Sequence, residues 1–244
     1  MFRRINSFCK DILIYSRLFY LLHPFRKLFL FLYNFSNLTA WTANNRKNFR
    51  YNDFFRASRN YQDRVTGFEK AFETCNAQGD APILYLEFGV ASGVSFKWWL
   101  AHSTNSESGF YGFDTFEGLP EDWGLFYKKG DMSHQIAQID DTRHKFIKGL
   151  FQDTLPKFIN ENINELKSKK RKVLHMDADL FSATLFVLTQ LYPYLNKGDI
   201  IIFDEFSVAS HEFFAFDIFQ KSFYTKLKPL SAVNNFYQCS FIVE

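Results

Sequence analysis

The sequence predicts an α/β fold: a seven-stranded, mostly parallel sheet that ends in an antiparallel C-terminal hairpin and is preceded by a helical N-terminal extension. From residue 83 onward, short β-rich runs alternate with stretches of helical length, the rhythm of strand-helix-strand crossovers. Most of these runs are near-continuously apolar, as strands are when helices cover both faces. The closing segment "LKPLSAVNNFYQCSFIVE" reads as two strands around a tight turn at Asn234 and Asn235, too short for a parallel crossover.

The first unit, residues 1–53, is set apart by its composition. The first sixty residues hold 11 Lys and Arg against 2 acidic residues, in a chain of 244 residues whose formal net charge is +3. Their run "ILIYSRLFYLLHPFRKLFLFLYNF" is crowded with Phe, Tyr and Leu. Arg17, His23, Pro24, Arg26 and Lys27 interrupt it before the roughly 18 to 20 apolar residues of a spanning helix accumulate, and no small-residue cleavage site follows. Two short amphipathic helices divided near "HPFRK" describe it better. Such a pair packs on its own domain or on a twin subunit of a homo-oligomer, or lies peripherally on an anionic membrane face; packing is the plainer expectation. The segment is too apolar for a phosphate-binding arm and no recognition motif accompanies it, so no nucleic-acid partner is expected.

The polar stretch "TANNRKNFRYND", residues 42–53, marks the boundary with the second unit, residues 54–244, which opens with a helical lead-in over about 54–77. A hydrophobic content of 47% allows a sizeable core and excludes a disordered or collagen-like chain. Cys9, Cys75 and Cys239 are odd in number and scattered, with neither metal spacing nor a disulfide framework, which favours a reducing, cytoplasmic setting.

In parallel sheets of this kind ligands bind beyond the carboxyl ends of the strands. The first run, "ILYLEFG" at 83–89, leads into "VASGVS", where Gly89 and Gly93 permit a tight turn and the next helix presents free amides; a turn needed only for packing reads the same way. The second run, "GFYGFDTF" at 109–116, carries Asp114, about 25 residues on, where a carboxylate holds a ribose diol. The third, "HKFIKGLF" at 144–151, precedes a helix. The fourth, "KVLHMDAD" at 172–179, ends in Asp177 and Asp179, and the fifth, "DIIIFDEF" at 199–206, in Asp204 and Glu205. If these two are neighbours, their ends lie about 5 Å apart and three or four carboxylates converge. Such a cluster calls for a shared proton or a hard cation, and oxygen-only ligands favour Mg²⁺ over zinc, with calcium and manganese also open. Each acid has a plainer reading: Asp179 as the N-cap of "LFSATLFVLTQL", Glu205 facing solvent, Asp177 paired with a buried base.

The segments "YLEFGVASGVSFKWW", "FYGFDTFEGLPEDW", "KGLFQDTLP", "HMDADLFSATLFVL" and "GDIIIFDEF" resemble, in order and spacing, the Rossmann-like class I S-adenosylmethionine-dependent methyltransferases of the macrocin O-methyltransferase type, over about residues 83–220. The resemblance implies that Glu87, Gly89 and Gly93 surround the methionine part of the cofactor, that Asp114 binds its ribose and that Gln152 meets its adenine. It places Asp177, Asp204 and Glu205 on the Mg²⁺ ligands, with Glu205 where relatives tend to carry a second aspartate. Asp179 is not carried over as a ligand, and Asp153 is expected to cap the following helix.

The reaction so implied is methyl transfer from S-adenosylmethionine to a hydroxyl, with a small-molecule or glycan acceptor such as a sugar on a natural product or polysaccharide. Asp177 is the first choice for the base and His175 the alternative, although a histidine inside an apolar strand is more often a core residue. The insertion "EGLPEDWGLFYKKGDMSHQIAQIDD", residues 117–141, is expected to form a lid in which Trp123, Phe126 and Tyr127 stack on a sugar or exclude water. Two other readings stay open: a nicotinamide-dependent oxidoreductase, against which the hairpin and the strand-end acids argue, and a non-catalytic membrane-surface scaffold.

Overall fold

The apolar runs become the centre of one sheet. The computed structural model describes residues 2–77, 79–124 and 126–244. In chain order it contains α1 (Phe2–Ser16), a 3-10 segment (Leu18–Phe25), α2 (Arg26–Asn45), β1 (Tyr51–Asn52), α3 (Arg64–Cys75), β2 (Ile83–Phe88), α4 (Val94–His102), β3 (Gly109–Asp114) and β4 (His144–Lys148). There follow α5 (Phe151–Glu161), α6 (Ile163–Leu166), β5 (Arg171–Met176), α7 (Phe181–Leu191), β6 (Ile200–Phe203), α8 (Glu212–Phe223), β7 (Leu227–Val233) and β8 (Gln238–Val243).

The sheet order is β1-β7-β8-β6-β5-β2-β3-β4. Strands β2 to β6 pair in parallel, and β8 runs antiparallel to both β6 and β7. The sheet has eight strands rather than the expected seven, because Tyr51 and Asn52 add a short parallel edge to β7. Alternation along each strand sorts the core into two layers. Leu84, Leu86 and Phe88 of β2 pack with α5, α7 and α8, while Ile83 and Tyr85 pack with α3 and α4.

The hairpin turn is longer than a two-residue loop. Asn234, Asn235 and Phe236 all have positive φ, and the lead-in chain clamps them. Asp53 accepts from the Asn234 and Asn235 N–H groups at 2.9 and 3.1 Å, and the two Asn side chains accept from the Asn60 and Arg56 N–H groups at 3.0 and 2.8 Å. Asparagine tolerates the left-handed region better than most residues, which explains the pair. Because residues 53–60 are spent on this clamp, the lead-in helix begins only at Arg64.

The N-terminal extension divides into two parts with different surroundings. Arg17 is left-handed and Pro24 lies in the 3-10 segment, so α1 and α2 are separate helices, as expected near "HPFRK". The C-terminal half of α2 belongs to the core: Asn34 and Leu38 are buried, and Trp41 meets the rings of Phe49, Phe206, Phe213, Phe216 and Phe241 at 5.0 to 6.2 Å. The described side chains before Asn34 are exposed. Cys9 is exposed on α1, and Cys75 and Cys239 are buried; all three are free thiols.

Trp41→Ala removes the ring that ties α2 to β8 and α8. We expect it to lower the unfolding free energy by about 3 kcal/mol, as large-to-small core changes do. Urea denaturation followed by far-UV circular dichroism measures this; an unchanged midpoint would mean that α2 is only laid on the surface.

Candidate active site

Loops leaving the carboxyl ends of β2, β3, β5 and β6 enclose a cavity of about 660 Å³. Its shape starts from a backbone contact. Gly89 follows β2 with φ +99°, and a Cβ there would lie 1.7 Å from the carbonyl oxygen of Asp177, so only glycine lets the ends of β2 and β5 come this close. Gly93, also left-handed, occupies the N-cap position of α4.

Asp114 braces the same corner. Its Oδ2 accepts from the Val90 and Ala91 N–H groups, both at 2.8 Å, and its Oδ1 from Phe116 N–H at 2.7 Å. A carboxylate has about four lone-pair sites, so Asp114 keeps roughly one for a ligand. Gln152, in the first turn of α5, lines the cavity with Phe151. Asp153 does not cap that helix: Leu150 holds the N-cap position and Asp153 lies in the first turn.

Glu87 and His175 lie outside the cavity wall. They are register partners inside β2 and β5, and their side chains point into the α3/α4 layer because they share the parity of Tyr85 and Val173 along those strands. Ser95 donates to Glu87 Oε1 at 2.5 Å, and the Tyr85 hydroxyl bridges Glu87 Oε2 at 2.6 Å and His175 Nδ1 at 2.8 Å. The His175 ring is fully buried against the edge of Phe68.

The strand-end acids separate into two clusters that share Asp177. Asp177, Asp179 and Glu205 can bring one oxygen each to within 4.8 Å of one another, and all three line the cavity. Asp177 also meets His175 and Asp204 in the same sense. Asp204, one of the three residues on the ligand positions implied by resemblance, is fully buried: Tyr61 donates to its Oδ2 and Arg64 Nη1 lies 3.4 Å from it, while its Oδ1 has no hydrogen-bond partner among the described residues. Burial pushes its pKa up, but His175, Arg64 and Tyr61 outweigh this and hold it below the usual range. Arg64 Nη1 stands 3.9 Å from Asp177 Oδ2.

Asp179 departs from its expected role. Leu180, not Asp179, is the N-cap residue of α7, and no side chain caps that helix. Asp179 is left-handed at φ 58°, and burial with Asp204 and Asp114 nearby raises its pKa to about 7. Glu205 is 4% exposed, its pKa is raised by burial and by Asp177 and Asp204, and its Oε2 has no hydrogen-bond partner among the described residues. An unpartnered buried carboxylate oxygen in an oxygen-only trio is the donor chemistry of a hard divalent cation.

Three participants were not singled out in the sequence. Tyr61 and Arg64 come from the lead-in and reach Asp204 across some 140 positions, leaving no local signal. Glu212, fully buried in the first turn of α8, accepts from Glu205 N–H at 2.9 Å, and the Ala178 amide adds to the stabilisation of its charge. It thereby links the loops after β5 and β6. In the 117–141 segment Trp123 and Tyr127 stack at 4.9 Å on the cavity wall, whereas Phe126 faces out, 88% exposed.

Known proteins show the same architecture. A stretch of 78 residues is 35% identical to mycinamicin III 3''-O-methyltransferase of Micromonospora griseorubida, covering 30% of this chain and 28% of that relative, so the match spans less than a third of the relative's length. The fold is similar to that of CalS11, a calicheamicin methyltransferase, with a TM-score of 0.59 at 19% identity over 74% of this chain and 79% of that one. The O-methyltransferase NovP gives a TM-score of 0.53 at 20% identity over the same shares. The family model for macrocin-O-methyltransferase (TylF) matches residues 56–237, which takes in every strand-end glycine and acid described above, and the chain belongs to that family.

Proposed function

We propose that the protein moves a methyl group from S-adenosylmethionine to a hydroxyl oxygen of a sugar, on a natural product or a polysaccharide, with Mg²⁺ at the site. The observation that carries this reading is the carboxylate trio Asp177, Asp179 and Glu205 on the cavity wall, with Glu205 Oε2 buried and unpartnered. A sugar acceptor is supported by the kinship with mycinamicin III 3''-O-methyltransferase. The family offers nothing to the nicotinamide reading.

When bound, S-adenosylmethionine supplies the methyl group and the cation polarises the acceptor hydroxyl. The chain's own residues bind, orient and take up the proton. The remaining lone pair of Asp114 and the Gln152 amide receive the ribose and adenine, beside the Gly89–Ser92 turn. Glu87 acts from beneath the floor by fixing Ser95 of α4. Asp177 and Glu205, with Asp179 beside them, would hold the cation. Asp177, first choice for the base, and Asp179 beside it are the carboxylates on the cavity wall placed to accept the proton. His175 is sealed beneath the floor and meets the cavity side through Asp204 and Asp177. Trp123 and Tyr127 offer ring faces to a sugar and exclude water.

Calorimetry tests the reading. Mg²⁺ should bind the parent and not Asp177→Asn, while S-adenosylhomocysteine binds both. A parent that ignores Mg²⁺ removes the metal from the reading; one that ignores S-adenosylhomocysteine removes the reading itself. Protons compete with the cation, and the pKa values of Asp177, Asp179 and Glu205 are all raised, so Mg²⁺ affinity should rise from pH 6 to pH 8. A flat profile would separate this carboxylate trio from the cation. Glu212→Ala frees the loops that carry the acids and should weaken Mg²⁺ binding by about 10- to 100-fold, as loss of a partner behind a ligand does. Glu212→Gln, which keeps one acceptor oxygen, should fall between the two, and equal Mg²⁺ affinity in all three would deny Glu212 this role.

A further inference from the structure

The largest feature the site leaves unused is the arm formed by residues 2–33. On α1, Ile5, Phe8, Ile12 and Tyr15 recur at helical spacing and form one apolar face, all exposed. The 3-10 segment and the first turns of α2 continue it: Leu18 to Leu22, Phe25 and the run "LFLFLY" at 28–33 are exposed as well. An apolar patch of this extent on a domain that has its own core marks a surface that something covers.

Charge indicates what covers it. Residues 2–33 carry six Lys and Arg, at positions 3, 4, 10, 17, 26 and 27, against the single acid Asp11. Two such arms laid face to face would bring like charges together, whereas anionic lipid headgroups attract each of them by about 1 kcal/mol near the surface. Basic residues beside Phe and Leu suit a helix lying in the interface plane, buried about 5–10 Å into the headgroup boundary. Among the described residues no helix is long and apolar enough to cross a membrane.

The arm is rooted beside the cavity. Asn34 Nδ2 donates to Ser210 Oγ at 3.4 Å, on the loop that follows Glu205. We propose that residues 2–33 dock this protein on an anionic lipid surface.

Vesicle co-sedimentation of the full chain tests this. Binding to vesicles of phosphatidylglycerol and phosphatidylcholine should exceed binding to pure phosphatidylcholine by on the order of ten-fold or more, and should weaken as salt shortens the Debye length. Two full-length variants, Ile5→Glu/Phe8→Glu/Ile12→Glu and Lys10→Glu/Arg17→Glu/Arg26→Glu/Lys27→Glu, should each lose binding while melting at the parent temperature, since the described side chains of this arm are exposed. No binding by the parent, or equal binding to neutral vesicles, overturns the proposal. So does lipid-independent dimerisation that the apolar variant abolishes, which would assign the surface to a second copy.

Discussion

Crowding of carboxyl groups at one end of the sheet is the constraint on which the rest of the site depends. Glu87, Asp177, Asp179, Asp204, Glu205 and Glu212 gather around the ends of β2, β5 and β6, and Arg64 is the guanidinium placed among them. At ε ≈ 20, two unit charges 4 Å apart interact by about 4 kcal/mol, so these groups cannot all be ionised without compensation. The fold compensates them differently. Asp204 takes Arg64 and Tyr61, Glu87 takes two hydroxyl donors, and Glu212 takes backbone amides. Of the six only Asp204 is held below its usual range; burial raises the other five, and of these Asp177, Asp179 and Glu205 face the cavity.

Much of the architecture was legible because strands covered on both faces must be apolar. "ILYLEF" is β2 within a residue of the expected bounds, and "IIIF" is β6, which ends three residues before the expected run does because Asp204 to Phe206 leave the sheet. Gly89 was legible as a turn, although the reason for it, the Asp177 carbonyl, lies 88 positions away and only the folded chain shows it. The division of labour among the acids was not legible. Sequence order places Asp204 next to Glu205, yet strand geometry turns one into the core and the other into the cavity. Asp179 read as a cap because acids often precede helices, but Leu180 intervenes and its own left-handed backbone sends it elsewhere. Glu87 follows from the family resemblance and His175 is the alternative base, and pleat parity places both beneath the floor, His175 as the core histidine that an apolar strand favours.

The N-terminal segment shows the limit of composition as a guide to boundaries. Residues 1–53 look uniform in their basic and aromatic character, but one helix, α2, passes from an exposed half into a half that is built into the core. Trp41 and Leu38 differ from Phe31 and Phe35 only in what lies opposite them. Packing of α2 against α8 therefore couples the arm to the element that carries Glu212.

The three free thiols differ in reactivity because they differ in burial. Burial pushes the Cys75 thiol up to about 12 and raises Cys239 as well, so neither offers appreciable thiolate near neutral pH, while Cys9 is exposed on α1. A maleimide fluorophore would therefore attach at a single position without any engineered cysteine. The chain thus carries an optical reporter site on the first helix of its arm, outside the sheet that forms its core.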